Sequence, residues 1–333
     1  MQEEIDVDVY PRYPLSWQAG AFNTLLRGTT KPACALLLRH GLGLTLLSRV
    51  VAMGERLPIP VPSGVSIVKD GPRRTEWVRT GEPDEDKVVL YFHGGGYFFC
   101  SPATHRPITC RLSAVARRPV LALDYRQGPV HSLAQSLSDA LEAYEGLLGR
   151  GYDPSGIVVA GDSAGGHLAL TTLLALRDRG LPAPSAAVCL SPWADLTDVR
   201  RRVNRWADPS LSASRVDWLA RRWTAGLDAR DPLVSPVYGD YRGLPPLMVV
   251  TGSTEVLRDE GRRVALRARE AGVPVTYEEW PRMPHVFPIL ADVVPEARLV
   301  FRHIARFLGA VSATRDSAAA LEPPSAEQAT DAA

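Results

Sequence analysis

Four apolar residues, Ile157-Val158-Val159-Ala160, run straight into Gly161-Asp162-Ser163-Ala164-Gly165-Gly166, and a helical pattern opens at His167-Leu168-Ala169-Leu170. Strand, then Gly-x-Ser-x-Gly, then helix: this order constrains the chain more than any other feature. A serine on so sharp a turn takes a strained backbone conformation, and glycines two residues before and after it leave room that side chains would fill. The turn lifts the Ser163 hydroxyl clear of the strand end. It also aims the free N–H groups of the following helix at the same point. Outside that context the five-residue pattern is a weak signal; inside it, Ser163 reads as a nucleophile. The competing reading is a phosphate-binding turn, but neither GxGxxG nor GxxxxGK[ST] occurs.

The rest of the chain supplies a frame for such a turn. Short apolar runs at Val65–Lys69, Thr75–Arg79, Val88–Phe92, Val120–Asp124, Ile157–Ala160, Ala187–Leu190, Leu247–Thr251 and Val273–Glu279 read as strands. Several are unbroken Val/Leu/Ile runs, as strands buried on both faces should be. Helical patterns fall at 103–117, 133–149, 164–179, 258–271 and 295–309. Alternating strands and helices predict an α/β fold with a mostly parallel sheet covered on both faces. Between Asp195 and Gly243 the alternation stops, and a stretch rich in Arg, Trp, Asp and Pro, with a helix near Ser214–Trp223, reads as an insertion. Residues 311–333, with one Leu and no aromatics, are expected to be disordered.

Composition narrows the class further. The 333 residues carry 38 Lys+Arg and 37 Asp+Glu, so there is no general electrostatic case for nucleic acid or an anionic membrane. Cys34, Cys100, Cys110 and Cys189 are too sparse for a disulfide scaffold, and no CxxC pair suggests zinc. No metal and no cofactor is implied. The N-terminal sequence is acidic, unlike a secretory signal, so a cytoplasmic location is expected. Residues 33–53 are the most apolar stretch. Leu37, Leu44, Leu47 and Val51 share one side of a helical wheel, with Arg39 and Arg49 opposite. That predicts an amphipathic helix docked on the protein rather than a membrane insertion.

A nucleophilic serine needs an anion hole and a base. After the apolar run Val88–Phe92 comes His93-Gly94-Gly95-Gly96-Tyr97, and three glycines after a buried strand leave backbone N–H groups bare. The N–H groups of Gly94, Gly95 and Ala164 are assigned as oxyanion donors, each worth roughly 3–4 kcal/mol in comparable sites. Tyr97, Phe98 and Phe99 are expected to wall the pocket, and His93 to shape the loop by hydrogen bonding. His285, in Pro284-His285-Val286 beyond the last strand, lies where the order Ser, acid, His places the base. Just past the preceding strand stand Glu255, the better placed acid, and Asp259, four residues on and inside the next helix. Trp193, Trp206, Trp218 and Trp223 lie in or beside the insertion; pocket lining, with Trp193 as the substrate-side candidate, and core packing are both open.

These residues resemble the hormone-sensitive-lipase-like family of α/β-hydrolases, and within it the bacterial esterases. The matching pieces are His93–Gly96, Asp124-Tyr125-Arg126, Gly161–Gly165, Asp231-Pro232-Leu233-Val234-Ser235-Pro236, Gly243-Leu244-Pro245-Pro246, and the Glu255 and His285 motifs. The resemblance covers about residues 85 to 308. It implies an eight-stranded α/β-hydrolase domain over 63–310, capped by residues 1–62 and by the insertion at about 195–243. It implies Ser163 as nucleophile, His285 as base and Gly94, Gly95 and Ala164 as oxyanion hole; a homodimer would fit the same resemblance. Two departures stand out. The family's acid is most often Asp, and here the position is Glu255, with Asp259 the alternative. The family's Tyr-Arg-Leu-Ala-Pro-Glu-His becomes Tyr125-Arg126-Gln127-Gly128-Pro129-Val130-His131. The expected function is a serine carboxylesterase acting on short- to medium-chain acyl esters. An amide deacetylase or lactonase is the alternative with the same chemistry, and a ligand-binding protein on a hydrolase scaffold the alternative of another class.

Overall fold

The expected strands assemble into one sheet in the computed structural model, which describes residues 15–37, 43, 45, 49, 62–71, 74–197, 204 and 207–321. The strands are β1 (Val65–Asp70), β2 (Thr75–Thr80), β3 (Val88–Phe92), β4 (Val120–Leu123), β5 (Ile157–Asp162), β6 (Ala186–Leu190), β7 (Leu247–Gly252) and β8 (Val275–Trp280). Their order is β1-β2-β4-β3-β5-β6-β7-β8, with β2 antiparallel to both neighbours and every other pair parallel. The chain steps to one side of β3 to lay down β4 and to the other to lay down β5. That reversal opens a crevice at the carboxyl ends of the strands, where open α/β sheets hold ligands.

Alternation along each strand sends side chains to two cores. Val88, Leu90 and Phe92 face one core, packing with helices α4 (Leu133–Gly149), α5 (Ala164–Asp178) and α7 (Arg258–Glu270). Val89 and Tyr91 face the other, with α1 (Trp17–Gly28), α3 (Arg106–Ala116) and α8 (Pro295–Leu321). The central strands β3, β5, β6 and β7 are buried throughout, which accounts for their unbroken apolar sequences. The start of α4 was legible because Ser132 and Gln135 form a reciprocal capping box.

Two expectations need correction or restriction. The tail was expected to be disordered from residue 311, but α8 continues through Leu321. A helix can extend into solvent without a core when its residues have high intrinsic propensity, and Ala313, Ala318, Ala319 and Ala320 provide that. Arg315 also ties the extension down, donating to the Ser155 carbonyl at 2.8 Å. The amphipathic helix expected over 33–53 lies largely outside the described residues; its first residues end α2 (Thr30–Leu37). In the insertion, α6 (Ala213–Trp223) forms where a helix was expected. Among the described residues no helix is long and apolar enough to cross a membrane.

Urea denaturation should separate the two regimes. Leu90→Ala, at a fully buried site in β3, is expected to cost about 2–5 kcal/mol. Thr314→Ala, on the solvent-facing extension of α8, should stay within about 0.5 kcal/mol of wild type.

Candidate active site

Register alone brings the key loops together. Phe92 pairs with Gly161, Asp162 with Leu190, and Gly252 with Trp280, so the segments after β3, β5, β6, β7 and β8 leave the sheet at one edge. The turn after β5 holds Ser163 at φ 51°, ψ −117°, a left-handed φ that L side chains rarely adopt. Its neighbours explain how the strain is tolerated. A Cβ on Gly165 would meet the Phe92 carbonyl, and one on Gly161 would meet the Gly165 carbonyl. Ser163 N–H donates to the Leu190 carbonyl at 2.9 Å, and the Ser163 carbonyl accepts from Trp193 N–H at 3.1 Å and His167 N–H at 3.0 Å. The backbone on both sides of the hydroxyl is therefore fixed.

The hydroxyl points at a base. Ser163 Oγ lies 2.9 Å from His285 Nε2, and His285 Nδ1 lies 2.8 Å from Glu255 Oε2. Glu255 can only accept, so Nδ1 carries the ring proton and Nε2 is left to take one from the serine. Glu255 is fully buried and its second oxygen, Oε1, accepts from Gly252 N–H at 2.9 Å. Burial raises the Glu255 carboxyl above its ordinary value, with the His285 and Ser191 bonds pulling the other way. For His285, burial disfavours the charged ring, but the bond to Glu255 and its charge outweigh this, and the pKa is raised above 6.5. Ser191, at φ 49°, bonds Glu255, and its Oγ accepts from the N–H of Val286, the residue after His285, at 3.1 Å. Asp259 sits apart in the first turn of α7, paired with Arg258 at 2.9 Å and 40% exposed. It does not reach His285.

The loop after β3 departs from expectation at one glycine. Gly94 N–H donates to Asp162 Oδ1 at 3.0 Å and lies 3.3 Å from His105 Nε2. It is committed to the carboxylate before Ser163 and is not available to an oxyanion, which corrects its assignment as a donor. The N–H groups of Gly95, Gly96 and Ala164 have no hydrogen-bond partner among the described residues. Gly95 at φ 116° and Gly96 at φ 61° turn the loop in a way that needs glycine. His93 shapes the loop as expected: Nδ1 bonds the Gly94 carbonyl at 2.7 Å and the ring stacks on Tyr125 at 4.5 Å. Burial, with the neighbouring His105, lowers His93 to about 3, so it stays neutral.

Three aromatic residues were expected to meet substrate. The structure gives Tyr97 a supporting position instead of a wall. It is 1% exposed, its hydroxyl bonds His167 Nδ1 at 2.7 Å, and its ring contacts Tyr125, His167 and Trp223. Phe98 packs on Trp223 at 4.7 Å and borders a cavity of about 460 Å³ with Trp218 and Arg222. Trp193 is buried beside Ser163 through its backbone bond, and its indole Nε1 has no partner among the described residues. Several contributors were not singled out from sequence. Asp162 lies within the Gly-x-Ser-x-Gly motif and could have been read there. Ser191, Asn204 and Asp208 carry no local signal, since their partners are distant in sequence.

Comparisons with known proteins agree with this fold. Residues 89–289 match the family model described as the alpha/beta hydrolase fold. An acetyl-hydrolase of Streptomyces hygroscopicus is 43% identical over 250 residues, covering 74% of this chain and 83% of that protein. An esterase of Acinetobacter venetianus is 32% identical over 224 residues, covering 66% and 74%. Among solved structures, an esterase from the bacterial hormone-sensitive lipase family superposes with a TM-score of 0.80 at 35% identity, over 89% of this chain and 98% of that one.

Two measurements test the catalytic geometry. Glu255→Gln should lower kcat by about 10³–10⁴-fold, as loss of the orienting acid does in serine triads, while Asp259→Asn stays within about threefold of wild type. The raised His285 pKa sets the pH dependence. The ring must be neutral to act as base, so kcat/KM should fall as pH drops through a value above 6.5. Glu255→Gln removes the anion that raises it, so this acid limb should move to lower pH.

Proposed function

The chain belongs to the α/β-hydrolase family, in its hormone-sensitive-lipase-like bacterial branch, and is a carboxylic ester hydrolase; on that premise we propose that Ser163, His285 and Glu255 are its catalytic triad. The observation that carries the assignment is the continuous hydrogen-bonded line from Ser163 Oγ through His285 to Glu255, at 2.9 and 2.8 Å. His285 Nε2 takes the Ser163 proton as Oγ attacks the ester carbonyl. The negative charge that grows on the carbonyl oxygen is met by the N–H groups of Gly95, Gly96 and Ala164, the three left unbonded around the nucleophile. His285 returns the proton to the departing alcohol. A water then attacks the acyl-enzyme by the same path in reverse.

The substrate side of the reading is a short- to medium-chain acyl ester. It is supported by the name of the acetyl-hydrolase relative and by the heavy aromatic packing of Phe98 and Trp223 beside the oxyanion loop. Cys110 and Cys189 are free thiols, which fits the reducing cytoplasmic setting that forms part of this reading.

The decisive assay compares kcat/KM on p-nitrophenyl esters from acetate to laurate, with Ser163→Ala beside wild type. Wild type should peak at the short end and the variant should show no turnover above background. Turnover by Ser163→Ala would remove the nucleophile assignment. A peak at laurate would overturn the short-acyl reading, and a higher rate on an aryl acetamide than on the matching acetate would redirect it to amide substrates.

A further inference from the structure

Residues 204 and 207–211 make contacts that the hydrolytic mechanism above does not require. Asn204 Nδ2 donates to the Glu255 carbonyl at 3.1 Å, and Asp208 Oδ2 accepts from Val256 N–H at 2.9 Å. These two groups belong to one peptide unit, the one that directly follows the catalytic acid. Asn204 Nδ2 also donates to the Ser253 carbonyl at 2.7 Å, so the acid's loop is held on both sides of Glu255. Asp208 is itself immobilised. It is fully buried, and its Oδ1 accepts from Ser210 N–H at 2.8 Å, Ser210 Oγ at 2.9 Å and Leu211 N–H at 2.8 Å. The Asp208 N–H donates to the Asn204 carbonyl at 2.9 Å, which closes the turn that carries both side chains.

The same loop is gripped from above. Arg27 of α1 donates to the Ala207 carbonyl at 2.6 Å, and Lys31 of α2 donates to the Asp208 carbonyl at 2.6 Å. Asn23 of α1 reaches the Arg282 carbonyl at 2.9 Å, three residues before the base. Helices α1 and α2 therefore hold backbone atoms in two segments, one that clamps the acid and one that leads to His285.

We propose that Asp208, with Asn204, is a positioning residue for the catalytic acid, and that through it the seating of helices α1 and α2 sets the alignment of the triad. The proposal rests on the reading of Glu255 as the triad acid. A misplacement of the acid on the order of 1 Å is enough to cost about 100-fold in rate, and the Glu255–Val256 peptide is fixed by the side chains of Asn204 and Asp208. Asp208 also acts through its charge. The groups facing His285 are Glu255, Asp208 and Asp162, and each anion favours the charged ring. Facing Asp208 in turn are Glu255, His285 and Lys31, while Arg258 reaches the Ser253 carbonyl. Replacing Asp208 by a neutral residue removes one of the anions that favour the charged His285 ring and should lower its pKa.

The test measures kcat, KM, the acid limb of kcat/KM and the melting temperature on p-nitrophenyl acetate. It uses the full chain as wild type, Asp208→Asn, Asn204→Ala and Lys31→Ala. Asp208→Asn should lower kcat by about 10–100-fold, leave KM within about twofold and move the acid limb to lower pH. Asn204→Ala should lower kcat in the same direction with the acid limb in place, because it removes a clamp and no charge. Lys31→Ala should lower kcat by a smaller factor, with wild-type KM. A folded Asp208→Asn with wild-type kcat and an unmoved acid limb would overturn the proposal. If Asp208→Asn does not fold, Asn204→Ala decides, and wild-type kcat in that variant overturns it equally. Ser163→Ala and Glu255→Gln in the same assay keep the two readings apart. If either retains full activity the triad assignment fails, whereas loss in both with no effect at Asp208 or Asn204 removes this inference alone.

Discussion

A single buried carboxylate, that of Asp162, registers the two halves of the reaction centre against each other. It is the last residue of β5 and the one before the nucleophile. Its Oδ1 accepts from Tyr91 OH at 2.5 Å and from Gly94 N–H at 3.0 Å, and its Oδ2 lies 3.2 Å from His105 Nε2. Burying a carboxylate costs several kcal/mol, and only full hydrogen bonding with an opposite charge offsets that. Here burial pushes the Asp162 carboxyl up while His105 and the hydrogen bonds more than reverse it, leaving the group below its ordinary value. The oxyanion loop therefore cannot shift without breaking the bonds that make Asp162 tolerable. The distance from the anion hole to Ser163 is set by this one residue together with the β3–β5 register.

The insertion completes the enclosure from the other side. Trp223, at the end of α6, donates its indole N–H to the Gly96 carbonyl at 3.0 Å, and its ring occupies space that a Cβ on Gly128 would need. Leu219, one turn earlier, closes on Gly96 in the same way. Gly128 is one of the residues where the 125–131 segment departs from the family pattern, and the indole seated there gives that departure a physical role. The Gly94–Gly96 loop is thus bonded to the sheet through Asp162 and to α6 through Trp223.

Much of this was legible in the sequence, and the divide follows interaction range. Strands β3, β4 and β5 could be read because a strand covered on both faces is apolar along nearly all its length. The structure brings Ser163, Glu255 and His285 together, and each is found in the sequence by its place relative to the strand before it. The three glycines after His93 point to a loop of bare N–H groups, but not to which of them are free. That choice is made by Asp162, on the neighbouring strand and 68 residues away. Tyr97 looked like a pocket wall because aromatics after a glycine loop often are; His167, across the sheet's helix layer, takes its hydroxyl instead. Asn204 and Asp208 were invisible for the same reason, in a stretch without periodicity whose partners lie some 50 residues ahead. The tail failed differently. Absence of core-forming residues argued disorder, but a helix continuing from a packed one needs only local propensity.

The glycines around the reaction centre have a consequence for how such a protein can change over generations. A Cβ added at Gly161, Gly165 or Gly252 would meet a backbone carbonyl, of Gly165, Phe92 and Met283 respectively, and one added at Gly94 would meet the Asp162 carboxylate. Every amino-acid substitution of a glycine adds at least that carbon. These four codons are therefore closed to mutational drift, and the geometry of the centre is inherited as a block. Positions around the block are left freer to change: Phe98, Pro129–His131, and the aromatic face of the inserted helix.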